Sequence, residues 1–303
     1  MNLQQAYYEQ KFENAFLRAK GDEFQTFFER LMGLAYKADF MACRPWGNIG
    51  DRKNDGFLKS ERRLFQVYAP NEMKAKDAID KITEDFEGAK IHWGKHFDKW
   101  VFVHNAYDGL PPQVIELLLN LKNIHPGIVF EHWNLEELQK IFRSLSEEDC
   151  ISWFGFAPTE ETKAKLGFKE LQVVFETLAS KAAPPSSTVQ PVPQGKIEAN
   201  ALSESVRDLI KSGMSKSPLV SAFLETWYDE TLGERLAVAF RNEYGRLRGT
   251  MPPMSPNEMF SELQAWAGGK ERGTSEHEMA VLTVLAYYFE RCDIFEEPKA
   301  VRP

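Results

Sequence analysis

The sequence predicts an α/β unit, a mixed sheet flanked by helices, followed by an all-α unit. Three observations lead there. Up to residue 142, short runs rich in Val and aromatic side chains alternate with amphipathic helical segments. At 180–196 the stretch SKAAPPSSTVQPVPQGK replaces apolar periodicity with Pro, Ser and Ala, a composition that buries too little surface to offset its ordering entropy. Beyond 197 every periodic segment is helical. A chain of 303 residues is long enough for two domains, and the expected division is 1–180, a linker at 181–196, and 197–303.

The elements follow in order. Phe24, Phe27, Phe28, Leu31, Leu34 and Ala35 share one face of a helix over 24–36. Strands are expected at 39–43, around Gly56–Leu58 and at 63–69. Ala75, Ala78, Ile79, Ile82 and Phe86 recur three or four apart, which predicts a second helix. The run KWVFVHN at 99–105 reads as a buried central strand. A helix opening on Pro111-Pro112 follows, with proline where a first turn tolerates it, then a strand at 127–133 and a helix in LEELQKIFRSL. The second unit reads as five helices over SESVRDLIKSG, SPLVSAFLETWYDE, LGERLAVAFRNEYGRLR, SPNEMFSELQAWAGG and SEHEMAVLTVLAYYFERCDIF.

Composition removes several function classes. No apolar run approaches the roughly 20 residues of a membrane-spanning helix. The N-terminus MNLQQAYYEQKF lacks the basic start and apolar core of a secretory signal, so a cytoplasmic location away from membranes is expected. Cys43, Cys150 and Cys292 lie too far apart for a zinc site of CxxC spacing and are odd in number, against a disulfide framework. The chain has no phosphate-binding loop of the G-x-x-x-x-G-K-[ST] type, no G-x-G-x-x-G and no G-x-S-x-G elbow. A net charge of −8 opposes indiscriminate DNA binding. The window 44–63 is nevertheless net positive: Arg44, Arg52, Lys53, Lys59, Arg62 and Arg63 face Asp51, Asp55 and Glu61.

That window holds the candidate chemistry. Asp55 at the start of one strand and Gln66 in the middle of its hairpin partner can meet across the ladder, where opposite residues stand about 4.5–5.5 Å apart. Two oxygens so placed can hold Mg²⁺, which keeps several waters and needs few protein ligands. A buried amide such as that of Gln66 needs partners or costs about 1–3 kcal/mol. Asp51 and Asn54 are also common turn residues, so GDRKNDG can equally be a hairpin approach. His92 and His96, four apart, would suit metal ligands on a helix, but Trp93, Gly94 and the adjoining strand argue against a helix there. His125 and His132 border the strand at 127–133 and read as structural. In the second unit Trp227, Tyr228, Tyr244, Trp266, Tyr287, Tyr288 and Phe289 sit at helical spacing, as core or as a partner surface.

Glu29 on the first helix, the glycine-rich approach to Asp55, the hairpin, and Gln66-Val67-Tyr68 resemble the PD-(D/E)xK nuclease superfamily. The likeness is to Mrr-type, restriction-endonuclease-like domains with the signature D…QxK, and it spans roughly 22–142. GDRKNDGF…FQVYAP together with AVLTVLAYYFERCDIFEEP is similar to components of bacterial ABC-three-component or Lamassu-like anti-phage systems. The resemblance implies Asp55 as principal ligand of Mg²⁺ or Mn²⁺, Gln66 in the second acidic slot, the Val67 carbonyl completing the site and Glu29 contributing through water. It puts Tyr68 where a lysine is expected, so the positive charge would come from Lys74 or Lys53. Arg52, Lys53, Arg62 and Arg63 would position DNA phosphates. The implied partners are DNA, an SMC- or ABC-type ATPase subunit, a small third subunit and further copies of the chain, with the acidic tail CDIFEEP docked on the ATPase. The implied activity is a metal-dependent DNA endonuclease, low in the isolated chain and raised on assembly. A nuclease fold kept as a non-cutting adaptor is the competing reading, and a third leaves the function to 197–303 with the first unit as a scaffold.

Overall fold

The structure, a computed structural model, describes residues 1–43, 52–182, 196–268, 274–291 and 294–295. It divides into an α/β unit, residues 15–149, and a helical unit formed by 1–14 with 150–303. The Pro/Ser-rich stretch does not coincide with this division, because both of its flanks fall in the helical unit. Most of the stretch itself, 183–195, lies outside the described residues.

In the α/β unit, α2 (Gly21–Tyr36) buries Phe24, Phe27, Phe28, Leu31 and Met32, and ends where Lys37 turns to a φ of 49°. A 3₁₀ turn leads into β1 (Phe40–Ala42), followed by β2 (Gly56–Leu58) and β3 (Arg63–Tyr68). Then come α3 (Ala75–Trp93), β4 (Lys99–His104), α4 (Pro112–Ile124), β5 (Val129–Trp133) and α5 (Leu135–Phe142). This is the expected element order. The five strands lie in chain order, antiparallel from β1 to β3 and parallel from β3 to β5, which gives the expected mixed sheet between helices. α5 is capped by Asn134, whose side chain accepts the Glu136 N–H.

Strand alternation sorts the core into two faces. Phe65 meets Phe28 of α2, Phe40 and Trp133 on one face. Leu64, Trp100 and Phe102 pack with Ile82 and Phe86 of α3 and Val114 of α4 on the other. α3 continues through His92 but stops at Trp93, so His92 and His96 do not share a helix, as expected. Its Trp93 indole N–H donates to the Arg52 carbonyl at 3.1 Å, a tertiary tie that carries the helix past the point where local sequence favours stopping.

The helical unit begins with α1 (Leu3–Arg18), of which residues 3–14 belong to it. It continues with α6 (Glu147–Phe154), α7 (Glu160–Lys165), α8 (Phe168–Ala179), α9 (Lys196–Ala199), α10 (Glu204–Met214), α11 (Ser217–Thr226), α12 (Leu232–Arg248), α13 (Pro256–Gly268) and α14 (Ser275–Glu290). From Met279 to Phe289 every residue of α14 is buried, as expected of a helix apolar all round. Its last carbonyls are met by the buried Lys196 ammonium, which donates to Phe289 O at 2.8 Å and Ile294 O at 2.5 Å. Ile294 and Phe295 are buried as well, Phe295 against Tyr244 and Phe289. The apolar pair of the tail CDIFEEP is thus spent on its own unit, and the remaining tail residues lie outside the described ones. Among the aromatic residues singled out above, Tyr244, Tyr287, Tyr288 and Phe289 are core, while Tyr228, just past α11, is 89% exposed.

Helix α10 crosses α14 at Gly213, where a Cβ would stand 2.6 Å from the Leu282 carbonyl oxygen and 2.7 Å from the Ala286 Cβ. Alanine is a better helix former than glycine by about 1 kcal/mol, but overpacking against backbone costs about 1–3 kcal/mol. Gly213→Ala is therefore expected to lower stability by about 1 kcal/mol, read as a lower urea midpoint than wild type; a raised midpoint would show that the helices part without cost.

Candidate functional site

The β2–β3 register ends with Gly56 opposite Phe65, and beyond it the ladder leaves regular pairing, since Asp55 as well as Gly56 stands against Phe65. Asp55 N–H donates to Phe65 O at 3.0 Å, and the Val67 N–H donates to Asp55 Oδ2 at 2.7 Å. The Asn54 side chain accepts the Gly56 N–H at 3.0 Å, an Asx turn that fixes the approach. Asp55 and Gln66 are only 5% and 3% exposed, and Gln66 Oε1 has no hydrogen-bond partner. By strand alternation Gln66 shares the face of Leu64 and Tyr68, the face covered by α3.

Helix α3 brings a residue that sequence reasoning missed. Asp85 is fully buried, with Lys53 Nζ 3.0 Å and Lys81 Nζ 2.8 Å from its carboxylate. Lys53 also reaches Glu84 at 2.6 Å, and the Glu84 carboxylate, with Asp85 behind it, holds the Lys53 ammonium above the usual lysine range. Gly88 makes room for this, since a Cβ there would meet Lys53 Cγ at 2.6 Å. Arg52 and Lys53 both adopt left-handed φ values, 54° and 63°, a conformation side chains adopt at a cost. The charged contacts to α3 and the Trp93 bond hold it. Burial, then the charge of Asp77, raises the Tyr68 pKa, and Lys81 acts on the same hydroxyl in the opposite sense.

The structure thus brings the Asp55 carboxylate onto the Val67 backbone, next to Gln66 in β3. Tyr68 packs into the core, its ring 6.0 Å from that of Phe102. Lys74, at the N-cap of α3, is exposed and paired with Glu72 at 3.3 Å. Glu29 rides on α2, the helix on the opposite face of the sheet, and accepts from Gln25. Arg62 is tied to Asp98 at 2.9 Å, and Arg63 to Glu61 at 3.1 Å and Glu131 at 3.2 Å with its guanidinium 5.0 Å from the Trp133 ring. Both arginines sit at the hairpin-turn end, about 10 Å along β3 from Gln66. Arg44, the glycine-rich approach and Asp51 lie outside the described residues.

The cation test rests on the orphaned Gln66 oxygen. Among the described residues no group of three or more His, Cys, Asp or Glu converges on a metal-sized gap, so a thiolate- or imidazole-type centre does not fit. A carboxylate and an amide oxygen are donor types that a hard cation takes.

A second cluster lies at the C-terminal ends of the parallel strands. The Ala106 N–H donates to His104 Nδ1 at 3.3 Å, which puts the His104 proton on Nε2, 3.4 Å from His132 Nδ1. Burial, reinforced by His132, pushes the His104 pKa down to about 3. His132 thus pairs with His104 across β4 and β5 rather than with His125, whose ring stacks near Phe86 at 5.0 Å.

Residues 169–296, less than half of the chain, match the family model described as C-terminal domain 10 of the ABC-three component (ABC-3C) systems. No curated protein and no solved structure matches the chain. The matched span lies within the helical unit and runs across the Pro/Ser-rich stretch from α8 to Phe295. No helix among the described residues is long and apolar enough to cross a membrane.

The His104 shift carries a pH signature. Its pKa is depressed on folding, so the unfolded chain binds the proton first, and stability present above about pH 6.5 is lost as pH falls toward 3. The expected slope from this one group is about 1.4 kcal/mol per pH unit inside that window. Comparing urea midpoints at pH 7 and pH 5 for wild type and His104→Gln should show a smaller acid loss in the variant; equal losses would place the proton elsewhere.

Proposed function

We propose that the chain is a subunit of an ABC-three-component defence complex, with the helical unit as its assembly module and the α/β unit as a divalent-cation-dependent DNA endonuclease. The single observation behind the nuclease reading is the buried, unpartnered Gln66 oxygen on the strand whose next residue, Val67, is bonded by the buried Asp55 carboxylate. The match of 169–296 to an ABC-3C C-terminal domain supports the assembly role. Bound Mg²⁺ or Mn²⁺ would supply a water of lowered pKa and screen the charge that builds on a phosphodiester. The chain's own contribution is placement: the Val67 N–H orients the Asp55 carboxylate beside the strand that carries Gln66. Lys53, held between Glu84 and Asp85, is the cation closest in sequence to Asp55. It would become available to a phosphate only if those acids released it, which fits activity that is low in the isolated chain and rises on assembly with the ATPase subunit.

One observation favours a non-cutting adaptor instead. Tyr68 occupies the expected lysine position and is packed against Phe102, while Arg62 and Arg63 are committed to carboxylates. The two readings separate in plasmid cleavage by the assembled complex with Mg²⁺ or Mn²⁺, using wild type, Asp55→Ala and Gln66→Ala. The nuclease reading expects nicking that falls at least 100-fold in Asp55→Ala and about 10-fold or more in Gln66→Ala, on the order of 1.4 kcal/mol per tenfold. Mn²⁺ binding followed by electron paramagnetic resonance should weaken in the same order. Equal cleavage by all three forms would remove these residues from the site, and Mn²⁺ binding with no cleavage in the full complex would favour the adaptor.

A further inference from the structure

β5 is the last strand of the sheet, and among the described residues no strand lies beyond it. The Val129 N–H donates to Asp98 O at 2.8 Å, and the parallel register runs unbroken from Val129 opposite Lys99 to Trp133 opposite Val103. In such a ladder alternate residues bond the neighbouring strand. Val129, Glu131 and Trp133 therefore turn their backbone groups to β4, while Phe130 and His132 turn theirs outward. Those outward N–H and C=O groups bond nothing among the described residues. Natural sheet edges are guarded by lysine, proline, a bulge or a covering segment. β5, VFEHW, has no lysine, proline or bulge. Val129 is 48% exposed, and Leu119 of α4, the helix packed on β5, is 57% exposed.

The strand is complementary to its own copy. Turned antiparallel about a two-fold axis at Glu131, two β5 strands set Phe130 opposite His132 of the second copy, and each such pair exchanges both of its N–H···O bonds. This register uses the outward groups of both residues. An axis at Phe130 would need the Ile128 N–H, which already donates to His125 O at 2.9 Å, and an axis at His132 would need Asn134, the N-cap of α5. The side chains agree with the axis at Glu131. Val129 meets Trp133 of the second copy, an aromatic–β-branched pair, and Phe130 meets the His132 ring, both favourable across antiparallel strands. Glu131 meets its own equivalent, and that like-charge contact is offset within each copy, where its carboxylate accepts from Arg63 at 3.2 Å and from the Trp133 indole at 3.0 Å.

We infer that the open edge of β5 is an interface between two copies of this chain, which joins two five-stranded sheets into one continuous sheet. One short strand a side makes a small contact, among the transient interfaces of about 1,200 Å² or less. The inference is independent of whether the α/β unit cuts DNA.

Sedimentation velocity of the full chain, from micromolar to hundred-micromolar concentration, tests it. Expected is a monomer–dimer equilibrium whose dissociation constant rises at least tenfold in His132→Pro and in Val129→Glu, and is unchanged in the control Ile91→Glu, at an exposed position of α3. His132→Pro removes an outward N–H and no bond to β4, a change that edge strands tolerate. Val129→Glu leaves every backbone group in place and keeps the test valid should the proline variant fold poorly. Glu131→Cys adds a second readout: residues facing each other on the axis stand about 4.5 Å apart at Cα, within disulfide reach, so mild oxidation should link this variant into covalent dimers. A chain monomeric over the whole range, dimerisation unchanged in both β5 variants, or a Glu131→Cys chain that cross-links to a different subunit of the assembled complex and never to its own copy would each overturn the assignment.

Discussion

Much of the α/β unit's candidate site depends on the carboxylate of Asp55 accepting the Val67 N–H at 2.7 Å. The β2 backbone ends its pairing with β3 at this residue, and a buried N–H left without an acceptor would cost about 1–3 kcal/mol. The aspartate side chain stands in for the missing strand carbonyl. It thereby draws residues 52–55 onto the sheet, sets Asn54 in its turn, and aims Lys53 at α3. Beside that bond, the amide of Gln66 is enclosed with an acceptor unused.

The electrostatics of the same region argue against a ready-made DNA surface. Lys53, Lys81, Arg62 and Arg63 all have carboxylates within ion-pair distance. The partly exposed members of such pairs contribute about 0–1 kcal/mol each, so they can exchange partners at modest cost. Asp85 differs, because it is fully enclosed, and removing both of its lysines would leave an isolated buried charge, a state proteins avoid. The phosphate-facing role of Lys53 is thus coupled to whatever else Asp85 can pair with, and Lys81 is positioned to keep that pairing. Phosphate neutralisation by an acidic chain of net charge −8 then depends on rearranged pairs or on cations from other subunits.

The element order of the α/β unit was legible because its strands are short, rich in Val and aromatics, and separated by helices with clean three-and-four spacing. The hairpin of β2 and β3 was legible for a related reason, but the bond of Asp55 N–H to Phe65 O, where the ladder leaves regular pairing, was not, because local alternation carries no sign of it. Asp85 was not, because a single acid in the stripe Ala78, Ile82, Phe86, Ala89 reads as the stripe's solvent border until Lys53 arrives from 32 residues earlier. Its presence in an apolar stripe was the available signal. Helix α1 was missed for a similar reason: its buried face mixes Tyr7, Tyr8 and Phe12 with Glu9, Gln10 and Glu13. Two of those polar groups bond distant residues, the Gln10 amide N–H donating to Ser261 and Glu13 accepting from Asn257, which local periodicity does not reveal. The pairing of His104 with His132 likewise needed the parallel register of β4 and β5.

The Pro/Ser-rich stretch has both of its shoulders fastened to one body. Lys181 donates to the Trp266 carbonyl, and Lys196 donates to those of Phe289 and Ile294. A segment strung between two fixed posts of the same unit does not set how far one module can reach from another. Doubling its length would cost only about 0.6 kcal/mol of closure entropy, which makes this the place where an inserted tag or an entire extra module should be tolerated with the surrounding helices undisturbed.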